Sequence, residues 1–461
     1  MTTPREFSVR GKRVTVAGAA RSGVAAAELL VSRGARVTLS DLRERFDDED
    51  RLRAAGVELE LGGHHESTFT GADLIVVSPG VPAGIGTLRA ARAAGVPIIG
   101  ELELASRWLR GRVVAITGTK GKSTTTTLAG RMLEAGGRRV LVGGNIGHAL
   151  SAQVDDSTED TIHVVEASSF QLEATVEFRP WIAVLLNFSP DHLDRHADER
   201  EYAAAKARIF ANQGTDDWAV LNADDPATLR MAEGGRARRL LFSMARALDD
   251  GIVLEGESIV HRRGAEEAPL VPLAAVRLIG RHLVADVLAA CAVAVIAGVD
   301  AGAMTSAVEG FSGLEHALEP VAEIGGVRFV NDSKATNIEA AHRAIDSFGH
   351  GLVVILGGRF KGGSFVDLLA PLAARQATVI AIGEARALVR EAFGDRLPVH
   401  EAVDMSAAVR TAFASAAPGG TVLLAPACAS FDMFEDYAQR GRVFKREVLR
   451  LREEWGDARE Q

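Results

Sequence analysis

The feature that most constrains this chain is a strand, a glycine turn and a helix between residues 113 and 135. A β-branched run at 113–117 enters the turn, and a helix-compatible segment runs from Lys122 to about Ala135. In a phosphate-binding P-loop, backbone N–H groups and a lysine bind phosphate oxygens, while a serine hydroxyl can ligate Mg²⁺. A purely structural strand–helix turn is the alternative. The pattern predicts a nucleotide site formed by Gly118, Thr119, Lys120, Gly121, Lys122, Ser123 and Thr124.

Length and composition limit the possible classes of protein. A chain of 461 residues is long enough for about three domains. The net charge of −9 disfavours general nucleic-acid binding. The two cysteines lie far apart, which argues against a disulfide framework or zinc site and for a reducing compartment. The N-terminus lacks a signal peptide's apolar core, and the run at 283–299 is short for a membrane span. We expect a soluble cytoplasmic protein that acts as a monomer.

The N-terminal hundred residues predict a Rossmann-like unit. Strands are expected at 12–17 and 35–40, and Asp41 follows the second strand, where it could hold a ribose or sugar hydroxyl. Ala20 replaces the glycine that lets a pyrophosphate approach closely, so dinucleotide binding is disfavoured. A different nucleotide ligand is the favoured interpretation, and an α/β fold without a ligand is the alternative.

A carboxylate follows a buried strand of the central region. The apolar run at 161–165 is typical of a buried parallel strand, and Glu166 comes directly after it. A strand-end carboxylate near a P-loop is a natural Mg²⁺ ligand. The alternative is an acid that caps the next helix.

A second strand, at 182–186, leads into a cluster of ionisable residues. This cluster contains two imidazoles, two carboxylates and a guanidinium, and it predicts either a catalytic loop or a solvated turn with a helix cap; its members are Asp191, His192, Asp194, Arg195 and His196. Lys206 lies in an alanine-rich helix, where composition alone favours a surface position. Farther along, residues 245–275 are polar and glycine-rich and are interpreted as irregular surface hairpins and loops.

The C-terminal third again alternates strands and helices. The predicted strands are 327–331, 352–356, 377–382 and 421–425, and a final helix is expected at about 433–455. Such alternation implies a mostly parallel sheet. The predicted fold is therefore α/β with three domains: a Rossmann-like domain (1–100), a P-loop domain (101–311) and a second Rossmann-like domain (312–461).

Five motifs in chain order resemble the muramyl ligases of bacterial peptidoglycan synthesis. They are the P-loop, Glu-Ala-Ser-Ser-Phe-Gln-Leu-Glu from Glu166, Asp-His-Leu-Asp-Arg-His from Asp191, Asn-Asp-Ser-Lys-Ala-Thr-Asn from Asn331 and Pro-Ala-Cys-Ala-Ser-Phe-Asp from Pro426. The second, fourth and fifth are most similar to the branch that adds D-glutamate. That resemblance implies that ATP phosphorylates the carboxylate of UDP-N-acetylmuramoyl-L-alanine and that the amine of D-glutamate attacks the acyl phosphate.

The resemblance also implies roles for individual residues. The implied catalytic group is Lys122, Glu166, His192 and Lys206. Two Mg²⁺ ions would be held by Ser123, Glu166, His192 and, once carbamylated, Lys206. ATP contacts beyond the P-loop would come from His282, Asp332 and Lys334. The UDP-sugar contacts would be Arg21, Ser22, Asp41, Arg43, Gly80, Asn145, Ser168 and Gln171. The D-glutamate pocket would be Thr336, Lys361, Ser430, Phe431 and Tyr437.

Several positions differ from the family pattern. Leu283 and Asp286 stand where the family usually has asparagines near the adenine, and Ala317 replaces an expected arginine. Lys120 stands at a P-loop position that is often asparagine. The first three changes concern the adenine and ribose contacts and leave the phosphate and metal residues intact.

Overall fold

The computed structural model describes residues 7–192, 195–277, 282–311 and 313–460, apart from the side chains of His282, Asp395 and residues 457–460. These residues contain three β-sheets, each of them packed with helices. The chain divides into two compact units. One contains 1–276 and 284–310, and the other contains 277–283 and 311–461.

The N-terminal sheet is a five-stranded parallel sheet. Its strand order, β3-β2-β1-β4-β5, places β1 in the centre with β2 and β4 on either side. Valines and leucines of β1 and β2 are buried against α1, which explains why these short runs form interior strands. The strands are β1 Arg13–Ala17, β2 Arg36–Asp41, β3 Glu58–Leu61, β4 Leu74–Val77 and β5 Ile98–Gly100, and the helices are α1 Arg21–Ser32, α2 Glu49–Ala54, α3 Glu66–Thr70, α4 Gly86–Ala93 and α5 Glu101–Ser106.

The central sheet contains nine strands in the described residues, in the order β14-β13-β12-β11-β10-β9-β6-β8-β7. Strand β6, which leads into the P-loop, lies between β8 and β9. The strands are β6 Arg112–Thr117, β7 Arg139–Gly144, β8 Thr161–Glu166, β9 Ile182–Leu185, β10 Trp218–Asn222, β11 Arg238–Ser243, β12 Asp250–Glu255, β13 Ser258–Arg263 and β14 Glu266–Pro272. The helices are α6 Lys122–Ala135, α7 Ser169–Glu173, α8 Glu199–Ala207, α9 Pro226–Met231, α10 His282–Ile296 and α11 Ala301–Glu309.

The interpretation of residues 245–275 as irregular is wrong. Three strands occupy this segment, with β12 parallel to β11 and the β12–β13 and β13–β14 pairs antiparallel. The hairpins of this segment were predicted, but their pairing with the edge of the central sheet was not. Their alternation is weak in the sequence because only a few positions, such as Ile252 and Ile259, are fully buried.

The C-terminal sheet has the order β15-β16-β20-β17-β18-β19, with β15 antiparallel to β16 and all other pairs parallel. Two apolar clusters cover its two faces. The strands are β15 Glu319–Ile324, β16 Val327–Asn331, β17 Leu352–Gly357, β18 Thr378–Ile382, β19 Val399–Glu401 and β20 Thr421–Leu424. The helices are α12 Ile338–Asp346, α13 Leu369–Ala373, α14 Arg386–Phe393, α15 Met405–Ser415 and α16 Tyr437–Glu460.

Candidate active site

The P-loop is held in place by the loop that follows β9. Asn187 accepts a hydrogen bond from the Lys120 N–H (2.9 Å) and donates one to the Lys120 carbonyl (3.1 Å). Gly121 has a left-handed φ of 81° at the start of α6, and an added Cβ would lie 2.1 Å from Asp286 Oδ1. Glycine is therefore required at position 121 both by conformation and by space. Lys122 Nζ donates to the carbonyl oxygens of Gly118 (3.1 Å) and Thr119 (2.9 Å).

Lys206 is buried behind the P-loop. Its side chain leaves the last turn of α8, and Nζ donates to the Gly118 carbonyl at 2.8 Å. Nζ also lies 4.6 Å from the centre of the Tyr202 ring. Only 1% of the residue is exposed, and burial, followed by the nearby charge of Lys122, lowers the pKa of Lys206 to about 7. The surface position favoured by composition is wrong, because Lys206 is an interior residue of the phosphate site.

Glu166 presents an oxygen with no partner in the described residues. The residue lies at the end of β8, paired with Ile116 of β6, and is buried. Oε1 accepts a hydrogen bond from Asn145 Nδ2 (2.7 Å), whereas the buried Oε2 has no partner there. A buried carboxylate oxygen is costly unless something binds it, and Mg²⁺ prefers such oxygens. The alternative in which Glu166 caps a helix is wrong, because Ser168 caps α7 by accepting the Gln171 N–H.

The Asp191–His196 segment lies against this site, and its residues 193 and 194 are outside the described chain. His192 has a left-handed φ of 56°, and its ring centre lies 5.1 Å from that of Phe170. His196 is buried, with Nε2 3.1 Å from Ser169 Oγ and its ring stacked on Phe170. Asp191 forms an ion pair with Lys120 at 3.5 Å. The described residues of this segment thus lie beside the P-loop, and a helix cap is also present, because Asp198 caps α8. A catalytic role for the segment stays a prediction.

Sequence reasoning gave no role to Tyr202 and counted Arg195 only as a member of the ionisable cluster. Tyr202 lies between the P-loop and Lys206, with its hydroxyl 3.3 Å from Thr119 Oγ1. Arg195 stacks over Phe170 at 4.4 Å and donates to the carbonyls of Pro79 (3.2 Å) and Gly80 (3.4 Å). Their only signal in the sequence was proximity to the histidine cluster. The contacts themselves join residues far apart in the chain.

The predicted UDP-sugar residues of the first sheet lie at the carboxyl ends of its strands. Asp41 accepts hydrogen bonds from the Ala19 N–H (2.5 Å) and from Arg43, whose Nε is 3.0 Å away. Burial acts to raise the pKa of Asp41, but the Arg43 and Ala19 hydrogen bonds outweigh it and lower the pKa to about 2. Asp41 is therefore charged at neutral pH and holds Ala19 in the turn that precedes α1.

Two further predicted contacts are already engaged within the protein. Arg21 donates to the Asn145 carbonyl at 3.1 Å, joining the first sheet to the loop after β7. Ser168 and Gln171 form a reciprocal capping box at the start of α7. Their side chains thus have a structural role in this structure, and their contact with a sugar stays a prediction.

In the C-terminal unit, the predicted ligand residues follow the carboxyl ends of β16, β17 and β20. Asp332 Oδ1 accepts the Leu318 N–H at 3.1 Å, and burial raises the pKa of Asp332 to about 7. Ser430 is buried, whereas the other predicted side chains are partly or fully exposed. These are Lys334, Thr336, Lys361, Phe431 and Tyr437. The predicted ATP contact of His282 lies outside the described side chains.

A metal site made only of common ligands is not present in the described residues: no group of three or more His, Cys, Asp or Glu side chains could hold an ion. The predicted Mg²⁺ ligands include a serine and a carbamylated lysine, which such a group would not contain. Likewise, no helix in the described part of the chain is long and apolar enough to cross a membrane.

Comparison with known proteins identifies the class. Residues 12–100 match the MurD-like N-terminal domain of Mur ligases, 116–294 the Mur ligase middle domain and 318–428 the Mur ligase glutamate ligase domain. UDP-N-acetylmuramoylalanine–D-glutamate ligase of Acidobacterium capsulatum is 48% identical over 96% of this chain and 97% of the relative. The Koribacter versatilis ligase of the same name is 44% identical over 97% and 99%.

Solved Mur ligases share the fold. The structure of MurC from Thermotoga maritima, a UDP-N-acetylmuramate–alanine ligase, has a TM-score of 0.58 at 17% identity and covers 95% of this chain and 99% of its own. The structure of MurF ligase from Thermotoga maritima, in complex with ADP, has a TM-score of 0.57 at 17% identity, with 96% of each chain covered.

The chain belongs to the Mur ligase family, which confirms the resemblance and the three-domain α/β fold. It is an ATP-dependent ligase that forms amide bonds.

Proposed function

We propose that the chain joins D-glutamate to UDP-N-acetylmuramoyl-L-alanine during cytoplasmic synthesis of peptidoglycan precursors. ATP phosphorylates the alanine carboxylate, and the amine of D-glutamate then attacks the acyl phosphate. An amide forms, and ADP and phosphate leave. Relatives that bear the name of this activity align over nearly the whole chain and support the assignment.

The observation that carries the proposal is the convergence of two lysines on one P-loop carbonyl. Lys122 Nζ and Lys206 Nζ lie 3.1 and 2.8 Å from the oxygen of Gly118. Phosphoryl transfer depends on positioning and charge neutralisation, so a cation and a potential metal ligand held together at this loop suit the γ-phosphate. Lys122 binds the phosphates in this assignment. The pKa of the buried Lys206 is lowered to about 7, which favours the neutral amine that adds CO₂ and loses a proton to become an anionic carbamate ligand.

The residues present fit Mg²⁺. The buried Oε2 of Glu166, which lacks a protein partner in the described residues, supplies the carboxylate oxygen that such an ion requires. Ser123 and Glu166 would hold one ion, and His192 with carbamylated Lys206 a second. Bound Mg²⁺ neutralises charge on the phosphates during transfer. The protein's own contribution is to orient the phosphate oxygens through Lys122 and the loop N–H groups.

The substrates are assigned to the remaining sites. Asp41 and Arg43, with Arg21, Ser22 and Gly80, bind the uridine diphosphate, while Asn145, Ser168 and Gln171 bind the muramyl part. Asp332 and Lys334 contact the nucleotide. Cations and hydroxyl donors suit an amino acid with two carboxylates, which supports a D-glutamate pocket made by Thr336, Lys361, Ser430, Phe431 and Tyr437. Two buried cysteines support a reducing cytoplasm, and the chain is proposed to act as a monomer.

Two alternatives have support in particular residues. A sister ligase with another amino acid would share the fold, as the similarity to MurC and MurF illustrates. A nucleotide-binding homologue without activity would be consistent with Ala317 and Leu283, which replace expected adenine-site residues.

The deciding experiment measures phosphate release from ATP with UDP-N-acetylmuramoyl-L-alanine and Mg²⁺, comparing D-glutamate, L-glutamate and no amino acid. Release that requires both substrates and prefers D-glutamate is expected. Turnover with a different amino acid only would favour the sister ligase, and no turnover with any amino acid would favour the inactive homologue. Sizing by light scattering tests the monomer.

A further inference from the structure

The final helix, α16, begins beneath the carboxyl edge of the C-terminal sheet, and it contributes a buried arginine there. Arg440 is 1% exposed and is the largest of the fully buried side chains in the described residues. Arginine is almost never fully buried unless its donors are satisfied, so its environment requires an explanation.

The Arg440 guanidinium joins two segments that carry predicted ligand residues. Nε donates to Ser333 Oγ (3.0 Å) and Nη2 to the Ser333 carbonyl (2.9 Å). Nη1 donates to the Cys428 carbonyl at 3.1 Å. Ser333 lies between Asp332 and Lys334, after β16. Cys428 lies two residues before Ser430, after β20.

A third segment, the loop after β17, packs on the same guanidinium. Gly358 has a positive φ of 129°, and an added Cβ would lie 2.3 Å from the Ala429 carbonyl and 3.3 Å from Arg440 Nη1. Arg359 forms an isolated bridge with Ala429, which fixes the start of the loop that carries Lys361. The three loops that carry the predicted pocket therefore meet around one side chain.

Neighbouring residues of α16 reinforce this arrangement. Ser333 Oγ donates to the Tyr437 carbonyl at 2.7 Å. Gly441 lets His316 pack against the helix, since an added Cβ would lie 2.2 Å from His316 Nδ1. His316 in turn accepts the Lys334 N–H through its carbonyl at 3.0 Å. The first turns of α16 thus contact the segments that follow β16 and that precede β15.

The hydrogen bonds of Arg440 satisfy its donors with neutral oxygens, while the carboxylate of Asp432 acts on its charge from nearby. Each of its three hydrogen bonds ends on a carbonyl or a hydroxyl group. Burial lowers the pKa of Arg440 to about 10, so the side chain remains charged at neutral pH. Because Asp432 offsets part of this charge, what Arg440 contributes to the edge is the order that its fixed donors impose on the loops they contact.

We propose that Arg440 is a positioning residue for the amino-acid substrate. Its guanidinium fixes the three loops that bear Thr336, Lys361 and Ser430, so that their side chains are held in place for the bound amino acid. This inference rests on the proposed function, because it deepens the assignment of the D-glutamate pocket.

The experiment compares Arg440→Lys and Arg440→Gln with the wild type in the phosphate-release assay. We expect Arg440→Gln to raise the KM for D-glutamate by roughly 10- to 100-fold, because a displacement of about 1 Å at a binding site can cost that much. The KM for UDP-N-acetylmuramoyl-L-alanine should stay within about twofold, since its proposed contacts lie at residues 21–43, 80 and 145–171, outside the loops that Arg440 contacts. Arg440→Lys keeps the charge but loses the planar guanidinium, so its KM for D-glutamate should lie between those of the wild type and Arg440→Gln.

A matched control separates positioning from general destabilisation. Val448→Ala removes a fully buried side chain of the same helix, distant in sequence from the loops. It should lower the melting temperature while leaving the KM for D-glutamate unchanged. If Arg440→Gln does not fold, Ser333→Ala removes one of the guanidinium's acceptors with a smaller volume change, and it should raise the same KM by about threefold, in line with a single hydrogen bond.

The outcomes are distinguishable. A wild type that shows no D-glutamate-dependent release overturns the proposed function and this inference with it. An active wild type whose Arg440 variants keep the normal KM for D-glutamate overturns the inference alone. The same holds if Val448→Ala raises that KM as much as Arg440→Gln does.

Discussion

The P-loop site and the carboxyl edge of the C-terminal sheet place their charged groups in opposite ways. At the P-loop, two of the four side chains proposed for the chemistry are buried, since Lys206 is 1% and Glu166 is 2% exposed, while Lys122 is half-buried and His192 is exposed. At the C-terminal edge, Lys334 and Lys361 are exposed, and the buried charge is Arg440, one layer below. In the proposed assignment, the phosphate site thus buries a lysine and a carboxylate that coordinate metal, whereas the amino-acid site presents exposed lysines on a buried support.

The difference follows from what each site must do. Charge neutralisation of a transferring phosphoryl group is most effective where water is excluded and the groups cannot move. Recognition of a small amino acid requires accessible donors whose backbone is already ordered. Substitutions in the two regions should accordingly differ in the kinetic constant that they change.

The largest effect is expected from Lys122→Met. Removing the phosphate-binding cation should lower kcat by about 1,000-fold or more, because stabilisation of transition-state charge is the main task at this loop. Single-turnover phosphate release measures the change. Arg131→Met, an exposed position on the same helix, is the control and should retain normal activity. If Lys122→Met lowered kcat by less than tenfold, the P-loop cation would be dispensable for the reaction.

Lys206→Met should also lower kcat, by roughly 100-fold, because it removes the amine that is proposed, once carbamylated, to hold an Mg²⁺ ion at the transferring phosphate. Tyr202→Phe keeps the ring beneath Nζ and loses only the weak 3.3 Å contact with Thr119, so its effect should stay within about threefold. Steady-state kinetics on both variants test the pair. Equal losses would mean that the tyrosine hydroxyl, rather than the lysine, dominates this corner of the site.

At the C-terminal edge, Lys361→Ala should act on binding. We expect the KM for D-glutamate to rise about tenfold with kcat little changed, as for a lost charge-assisted contact of roughly 1.4 kcal/mol. Arg390→Ala, an exposed cation of the same unit that pairs with Glu401, serves as the control. A fall in kcat with normal KM would break the contrast between the two regions.

The smallest effect concerns stability at the first sheet. The folded-state pKa of Asp41, about 2, lies below its ordinary value of 3.8, so Asp41 stabilises the fold above pH 3.8 and this contribution is lost as the pH falls toward 2. Screening reduces the effect to about 1 kcal/mol. The difference in unfolding free energy between wild type and Asp41→Asn should therefore shrink between pH 6 and pH 3. A difference that stays constant over this range would contradict the assignment.

Local structure at the central site was predictable from the sequence. The strand before Gly118 and the helix from Lys122 to Ala135 occur where the residue pattern placed them. Strand β16 at Val327–Asn331 matches its apolar run as well. These elements were predictable because neighbouring residues alone specify the period of burial and the glycine turn. The edge strands β15 and β19 and the sheet extension at 250–272 were missed, since their burial is set by packing rather than by a regular pattern.

The sequence by itself determined the P-loop, the order of the α/β units and the motifs that resemble a ligase family. Only the tertiary structure decided which charged residues are interior. Lys206 reaches Gly118 across 88 positions, and Arg440 reaches Ser333 across 107. A lysine or arginine in a helix has the same local pattern on a surface as in a core. Its burial depends on distant backbone oxygens that fold toward it, and those oxygens supply the hydrogen bonds without which a buried charge would be too costly.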